Sequence, residues 1–120
     1  MNTFQPDQKE IDDVFTKISA MNGKRGCFVN PNEKDAKQLV GALLVNKEKY
    51  GFQYCPCRLV LGDKKENIDI ICPCLYRNAD VAEYGTCFCG LYVSEEVVNG
   101  GKKIHSIPER RPKREERLKI

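Results

Sequence analysis

Residues 55–89 read CPCRLVLGDKKENIDIICPCLYRNADVAEYGTCFC. Three Cys-x-Cys pairs stand in this stretch: Cys55-Pro56-Cys57, Cys72-Pro73-Cys74 and Cys87-Phe88-Cys89. They hold six of the seven cysteines in the chain. Proline fixes its own φ near −65° and biases the residue before it toward extended backbone. In an extended segment residues i and i+2 point to one side, so each pair is expected to present two sulfurs in a common direction. Cysteines that close do not readily bridge to each other, because a disulfide needs definite Cα and Cβ separations. Partners come from the other pairs or from a metal.

Six sulfurs divide naturally as four plus two. Four thiolates complete a tetrahedral zinc site or hold a [4Fe–4S] cluster, and two more can form a redox-active disulfide. Zinc sites usually space their cysteines as Cys-x2-Cys or wider, so three Cys-x-Cys pairs in series fit zinc poorly. A simple electron carrier needs only four thiolates, and this segment supplies six.

The order Cys-Pro-Cys, Cys-Pro-Cys, Cys-x-Cys, spanning Tyr54 to Val93 with its flanks, resembles the catalytic (beta) subunit of ferredoxin:thioredoxin reductase. The resemblance implies a [4Fe–4S] cluster held by Cys55, Cys72, Cys74 and Cys87, and an active disulfide between Cys57 and Cys89. It implies that Cys57 attacks the substrate while the Cys89 sulfur rests against the cluster. The partners implied are ferredoxin or a similar one-electron donor, thioredoxin or a thioredoxin-like protein, and a small variable subunit. The fold implied is mainly α: a single compact domain of short helices, with cysteine-bearing loops around the iron–sulfur cluster. The sequence departs from the chloroplast-type pattern in two ways. Phe88 stands where those members carry His between the third pair, and Phe cannot handle a proton. Fourteen residues separate the first two pairs and twelve the last two, against a longer first and a shorter second spacer in that pattern.

Electron flow in such an enzyme runs downhill. Plant-type ferredoxins sit near −400 mV and thioredoxin near −270 mV, and this gap of roughly 130 mV is about 6 kcal/mol for two electrons. The function expected is therefore a ferredoxin-dependent disulfide reductase. The alternative is a non-enzymatic metal-binding module, with zinc or an iron–sulfur group.

At 120 residues the default is one domain. Residues 1–107 are expected to form the catalytic-type domain and 108–120 a charged C-terminal tail. Met1 to Lys9 is polar apart from Phe4 and shows no signal-peptide core. The longest apolar run, Leu39 to Val45, is too short to span a bilayer. The expectation is a cytoplasmic protein, or an organellar one after removal of a targeting segment, with no membrane partner. Thiols in the cytosol are kept reduced, which favours metal or redox roles for a cysteine-dense chain. Seven is also an odd number for a purely disulfide framework.

The net charge of +3 is uneven. Residues 1–101 carry 12 Lys/Arg against 14 Asp/Glu, and residues 102–120 carry eight Lys/Arg against three Glu. The basic tail lacks interleaved aromatics and contains Glu109, Glu115 and Glu116, so nucleic acid is not an expected partner. Docking of an acidic redox protein, or solubility, suits it better. Lys64-Lys65 is a solvated loop by default, with a docking role as the sharper reading.

The remaining segments read as follows. After Pro6, expected in the first helical turn, Ile11, Val14, Phe15, Ile18 and Met21 recur at helical spacing up to Asn22-Gly23. Gly26 to Val29 reads as a connector. Asn30 as N-cap, Pro31 at the first helical position and Glu33 in a capping box open a second helix, with Ala36, Leu39, Val40, Leu43 and Leu44 inward. It ends near Tyr50-Gly51. Arg58 to Leu61 reads as a short helix or turn, and Glu66 to Ile71 as helix or strand. Asn78 to Tyr84 reads as one or two helical turns, Asn99 to Gly101 as a turn, and Lys103 to Ile107 as a short strand. Cys27 reads as a small buried hydrophobe. Arg58 can lower the pKa of Cys57 as a nearby cation, or simply lie at the surface. His105, the only histidine, reads as solvated or structural.

Overall fold

A computed structural model describes residues 4–118. About half of the chain is helical, in short helices, with one small two-stranded sheet and cysteine-rich loops, so the mainly α expectation holds. Among the described residues no helix is long and apolar enough to cross a membrane.

The first helix, α1 (Gln8–Ser19), is capped by Asp7, whose carboxylate accepts the backbone N–H of Lys9 at 3.2 Å. Pro6 therefore precedes the cap and does not lie in the first turn. Ile11, Val14, Phe15 and Ile18 pack their face on the main core. Met21 departs from this stripe. It falls beyond the helix end and is 56% exposed, because the chain turns at Asn22, whose side-chain oxygen accepts the N–H of Val29 at 2.9 Å.

Helix α2 (Glu33–Tyr50) starts two residues later than the capping motif predicts. Asn32 caps it, accepting the N–H of Asp35 at 3.1 Å. Asn30 is committed elsewhere: its amide donates to the Gly90 carbonyl at 3.0 Å, and its side-chain oxygen accepts the N–H of Asn32 at 2.9 Å. A long-range contact has taken the side chain that local chemistry assigned to the cap. Ala36, Val40, Leu43 and Leu44 form the buried stripe, with Leu39 partly buried against the same core. Gly51, at φ 89°, closes the helix in the left-handed conformation that glycine tolerates best.

Strand β1 (Phe28–Val29) pairs antiparallel with β2 (Tyr92–Val93), Phe28 opposite Val93 and Val29 opposite Tyr92. The sheet thus uses the segment read as a connector. Lys103 to Ile107 is not a strand. Ile107 instead tucks its side chain into the body, 8% exposed, and the polar residues before it stay in solvent. The ambiguous Glu66–Ile71 stretch is helical as far as Ile70: α3 (Lys64–Asn67), capped by Asp63, runs into a 3₁₀ turn at Ile68–Ile70, and Ile71 is extended. Arg58 to Leu61 forms no helix. Its loop is closed by buried Asn67, whose amide donates to the Leu61 and Asp63 carbonyls, both at 2.7 Å. Helix α4 (Arg77–Tyr84) matches its expected place, and α5 (Glu95–Val98) and α6 (Arg114–Arg117) are single turns.

Two apolar clusters result. The larger joins α1, α2, α4 and the sheet, and the smaller gathers Tyr54, Cys55 and Ile70. Fully buried Ile70 and Leu91 each contribute about 1.5–3 kcal/mol of apolar burial. Cys89 packs against both clusters, so the cysteine loops lie at the seam between them.

Candidate functional site

Backbone pairing brings the three cysteine pairs together. Tyr54 and Ile71 form an isolated antiparallel bridge. Around it, the N–H of Cys55 donates to the Ile70 carbonyl and that of Cys72 to the Gln53 carbonyl, each at 2.8 Å. The first two pairs are thereby held side by side. A second bridge, Thr86 to Val93, and the bond from the Cys87 N–H to the Tyr92 carbonyl at 2.9 Å set the third pair on β2. The Cys72–Pro73 peptide is cis.

The backbone of the first pair is a turn and not an extended segment. A turn closes there, the Arg58 N–H donating to the Cys55 carbonyl at 3.2 Å. Cys55 is buried and Cys57 is exposed. The extended backbone expected here is replaced by this turn, yet the sulfurs of Cys55 and Cys57 both meet that of Cys89. Cys55, Cys72, Cys74, Cys87 and Cys89 line one cavity, its wall completed by Arg58, Arg77, Phe88 and Tyr92. The sulfurs of Cys87 and Cys89 lie 3.8 Å apart. Among the described residues no three His, Cys, Asp or Glu side chains close on a single metal-ion position. The donors around the cavity are soft sulfurs with two guanidinium groups among them, the chemistry that suits thiolate ligation of iron–sulfur groups and offsets its negative charge.

Arg58 is the feature that the sequence reading left open between a modulating cation and a surface residue. Its side chain is 2% exposed. Nε and Nη2 donate to the two carboxylate oxygens of Glu109 at 2.8 and 2.7 Å, and Nη1 donates to the Cys74 sulfur at 3.3 Å. The guanidinium carbon lies 4.7 Å from the Phe88 ring centre and 5.3 Å from that of Tyr76. Burial alone disfavours its charge, but Glu109 and the sulfurs of Cys55 and Cys74 hold it protonated. Arg77 lies over the Tyr92 ring at 4.7 Å on another side of the cavity.

The thiols differ in acidity. Hydrogen bonding with Cys89 lowers Cys57 to about 7, with burial and Cys87 opposing and Arg58 assisting. Cys89, together with backbone N–H groups including that of Tyr92 at 3.3 Å, lowers Cys87 to about 6. Cys55 is also lowered, again chiefly through Cys89. Cys89, set among the other three sulfurs, is pushed up and keeps its proton. Burial raises Cys72 and Cys74, the Arg58 charge countering at Cys74.

Cys27 does not line this cavity; it is 3% exposed in the main core, with burial raising its thiol pKa. This is the small buried hydrophobe that the sequence predicts. His105 is exposed, as a solvated residue would be, and lines an open hollow beside Cys87, Phe88 and Cys89. The basic segment after Ile107 is bound to the body through Glu109–Arg58, Arg110–Asp80, Arg110–Glu83, Arg111–Asp69 and Arg114–Glu66.

A family model described as ferredoxin thioredoxin reductase catalytic beta chain matches residues 4–111. The chain belongs to that family. As a ferredoxin thioredoxin reductase catalytic-chain homologue it carries the oxidoreductase and cysteine-redox themes of the family. The match covers all three cysteine pairs and reaches Arg111, so it includes Arg58, Glu109, Arg110 and Arg111. No curated protein matches the chain.

Proposed function

We propose that this chain is a disulfide reductase. It would take electrons from ferredoxin or a similar one-electron donor and pass them to thioredoxin or a thioredoxin-like protein. The observation that carries this reading is the division of the cysteines: five line one cavity, while Cys57 stands exposed at its edge with Cys89 behind it. Cys55, Cys72, Cys74 and Cys87 would hold a [4Fe–4S] cluster, and Cys57 with Cys89 would form the active disulfide. When bound, such a cluster supplies one-electron chemistry beside a disulfide that needs two electrons.

The residues of the chain do the rest. In the reduced pair, Cys57 is the accessible thiol and the more acidic one, so it supplies the thiolate. It attacks one sulfur of the substrate disulfide. A mixed disulfide forms and the other substrate sulfur leaves as thiolate. The Cys89 sulfur, having given up its proton, attacks Cys57. This releases the second substrate thiol and leaves a Cys57–Cys89 disulfide. Two electrons and two protons from outside the chain return the pair to the dithiol. Cys89 is half-buried between the two apolar clusters, which keeps competing thiols from reaching it. A small variable subunit is a further partner in this reading.

Anaerobic purification with iron and sulfide analysis tests the proposal, followed by donor-driven reduction of thioredoxin. A brown protein with iron and labile sulfide in equal amount, able to produce reduced thioredoxin, supports it. A colourless protein holding zinc and no labile sulfide contradicts it in favour of a metal-binding module.

A further inference from the structure

Arg58 reaches all three cysteine loops. It follows Cys57 in the chain, donates to the Cys74 sulfur, packs on Phe88 between the third pair, and forks onto Glu109. A cation this buried, bonded to a ligand-type sulfur, is unusual for a residue in a loop. Glu109 fixes the fork: its Oε1 accepts both Arg58 Nη2 at 2.7 Å and the N–H of Arg111 at 2.9 Å, so the carboxylate is itself held in place. The two residues are 51 positions apart, and the contact exists only because the C-terminal segment folds back over the site.

We propose that Arg58, clamped by Glu109, is a positioning residue that sets the electron affinity of the thiolate site through its N–H···S bond to Cys74. The inference rests on the reading of Cys74 as a cluster ligand. Hydrogen bonds to ligating sulfurs, net charge and solvent exposure set the potentials of iron–sulfur groups. Reduction adds negative charge, so a buried cation donating to a sulfur favours the reduced state. The Glu109 carboxylate works in the opposite sense by cancelling part of that charge. Geometry and charge therefore act with different signs at the two residues, and this separates an electrostatic role from a merely structural one.

The experiment measures the midpoint potential of the purified holoprotein by spectroelectrochemistry, with Fe–S stretching frequencies as a second readout. It compares the native chain with Arg58→Met, Arg58→Lys and Glu109→Gln. Arg58→Met is expected to lower the potential and shift the Fe–S stretches as the N–H···S bond is lost. Arg58→Lys, which keeps the charge without the fork, should fall between it and the native value. Glu109→Gln, which keeps an acceptor oxygen and removes the charge, should raise the potential. Shifts of Arg58→Met and Glu109→Gln in the same direction, or no shift in either, overturn the proposal. Should Arg58→Met not retain the cluster, Glu109→Gln decides alone: a rise supports the proposal, and an unchanged or lower potential overturns it. Absence of iron from the native chain would remove the cluster reading and this inference with it, whereas an iron-loaded native protein with unmoved variants defeats the inference only.

Discussion

Arg111 closes a fork on Asp69, Nε reaching Oδ2 at 2.7 Å and Nη2 reaching Oδ1 at 3.1 Å. Asp69 also accepts the Tyr76 hydroxyl at 2.7 Å. One carboxylate thus joins the C-terminal segment to the turn before the second cysteine pair and to the residue that opens α4. With Arg58–Glu109 beside it, this contact makes the basic segment a structural strap across the cysteine loops.

The strap should open in acid. Burial raises the Asp69 carboxyl, but the hydrogen bonds of Arg111 and Tyr76 outweigh it and leave its pKa below the ordinary value. Glu109 follows the same balance, with Arg58 as the main opposing group. Carboxyls depressed in the folded state contribute stability that is fully present above their unfolded values, about 3.9 for Asp and 4.3 for Glu. That contribution is lost as pH falls through the folded values. The NMR signals of the Arg58 and Arg111 side-chain N–H groups should therefore persist down to about pH 4 and disappear below it. Their loss between pH 5 and 6, with the fold intact, would contradict the assignment.

Among the strap arginines, Arg110 should matter most for stability. Its partner Asp80 has a fully buried side chain, whose Oδ1 accepts Arg110 Nε at 2.8 Å while Oδ2 has no hydrogen-bond partner among the described residues. Removing the cation strands a charge in the interior, which is far more damaging than losing an exposed pair. Arg110→Met is expected to lower the urea midpoint well beyond Arg114→Met, whose side chain is 54% exposed. Equal midpoints for the two variants would show that Asp80 is not stabilised by this contact.

Asn30 and Asn32 give a second contrast. Asn32→Ala removes an ordinary helix cap and should cost about 1 kcal/mol. Asn30→Ala removes two hydrogen bonds, one of them the tie between the start of α2 and the third cysteine loop. It should cost about 2–3 kcal/mol, since unpaired backbone groups remain. Urea denaturation of both variants checks this, and a cost at Asn30 no greater than at Asn32 would show that the tie to Gly90 adds nothing to stability.

The contrast also shows where sequence reading stops. The two long helices were legible because their apolar spacing is local, and their ends were nearly right because Gly51 and Asn22-Gly23 mark stops within the same stretch. The cap was misplaced since Asn30 answers to Gly90, sixty residues away. The sheet was missed for the same reason: two-residue strands carry no periodicity, and β1 becomes a strand only when β2 lies against it. In the site, the three cysteine pairs were plain from spacing alone, whereas the division of roles among the sulfurs came from a family resemblance. The turn that exposes Cys57 and buries Cys55 follows from tertiary pairing at Ile70. Arg58 could be singled out by its place after Cys57, but its burial depends on Glu109 and on ring faces supplied by Tyr76 and Phe88.

Phe88 gives a prediction at the site. A histidine introduced there by Phe88→His would stand against the Arg58 guanidinium, now 4.7 Å from the ring centre, in a half-buried position. The fixed positive charge and burial both disfavour imidazolium. The new imidazole should titrate below the ordinary value of about 6.5, and turnover at neutral pH should not rise. NMR titration of the variant beside its pH–rate profile tests this. An imidazole titrating at or above the ordinary value, with faster turnover, would show that Arg58 does not control the protonation of this position.

The central claim is the division of six sulfurs into four ligands and a reactive pair. It is tested most directly by the iron content of Cys57→Ser and Cys74→Ala, each purified anaerobically. The account predicts that Cys57→Ser keeps the iron and colour of the native protein while losing disulfide reduction, since an exposed nucleophile has been removed and no ligand. Cys74→Ala should lose the iron. Iron lost from Cys57→Ser, or retained in full by Cys74→Ala, would contradict the division and the mechanism built on it.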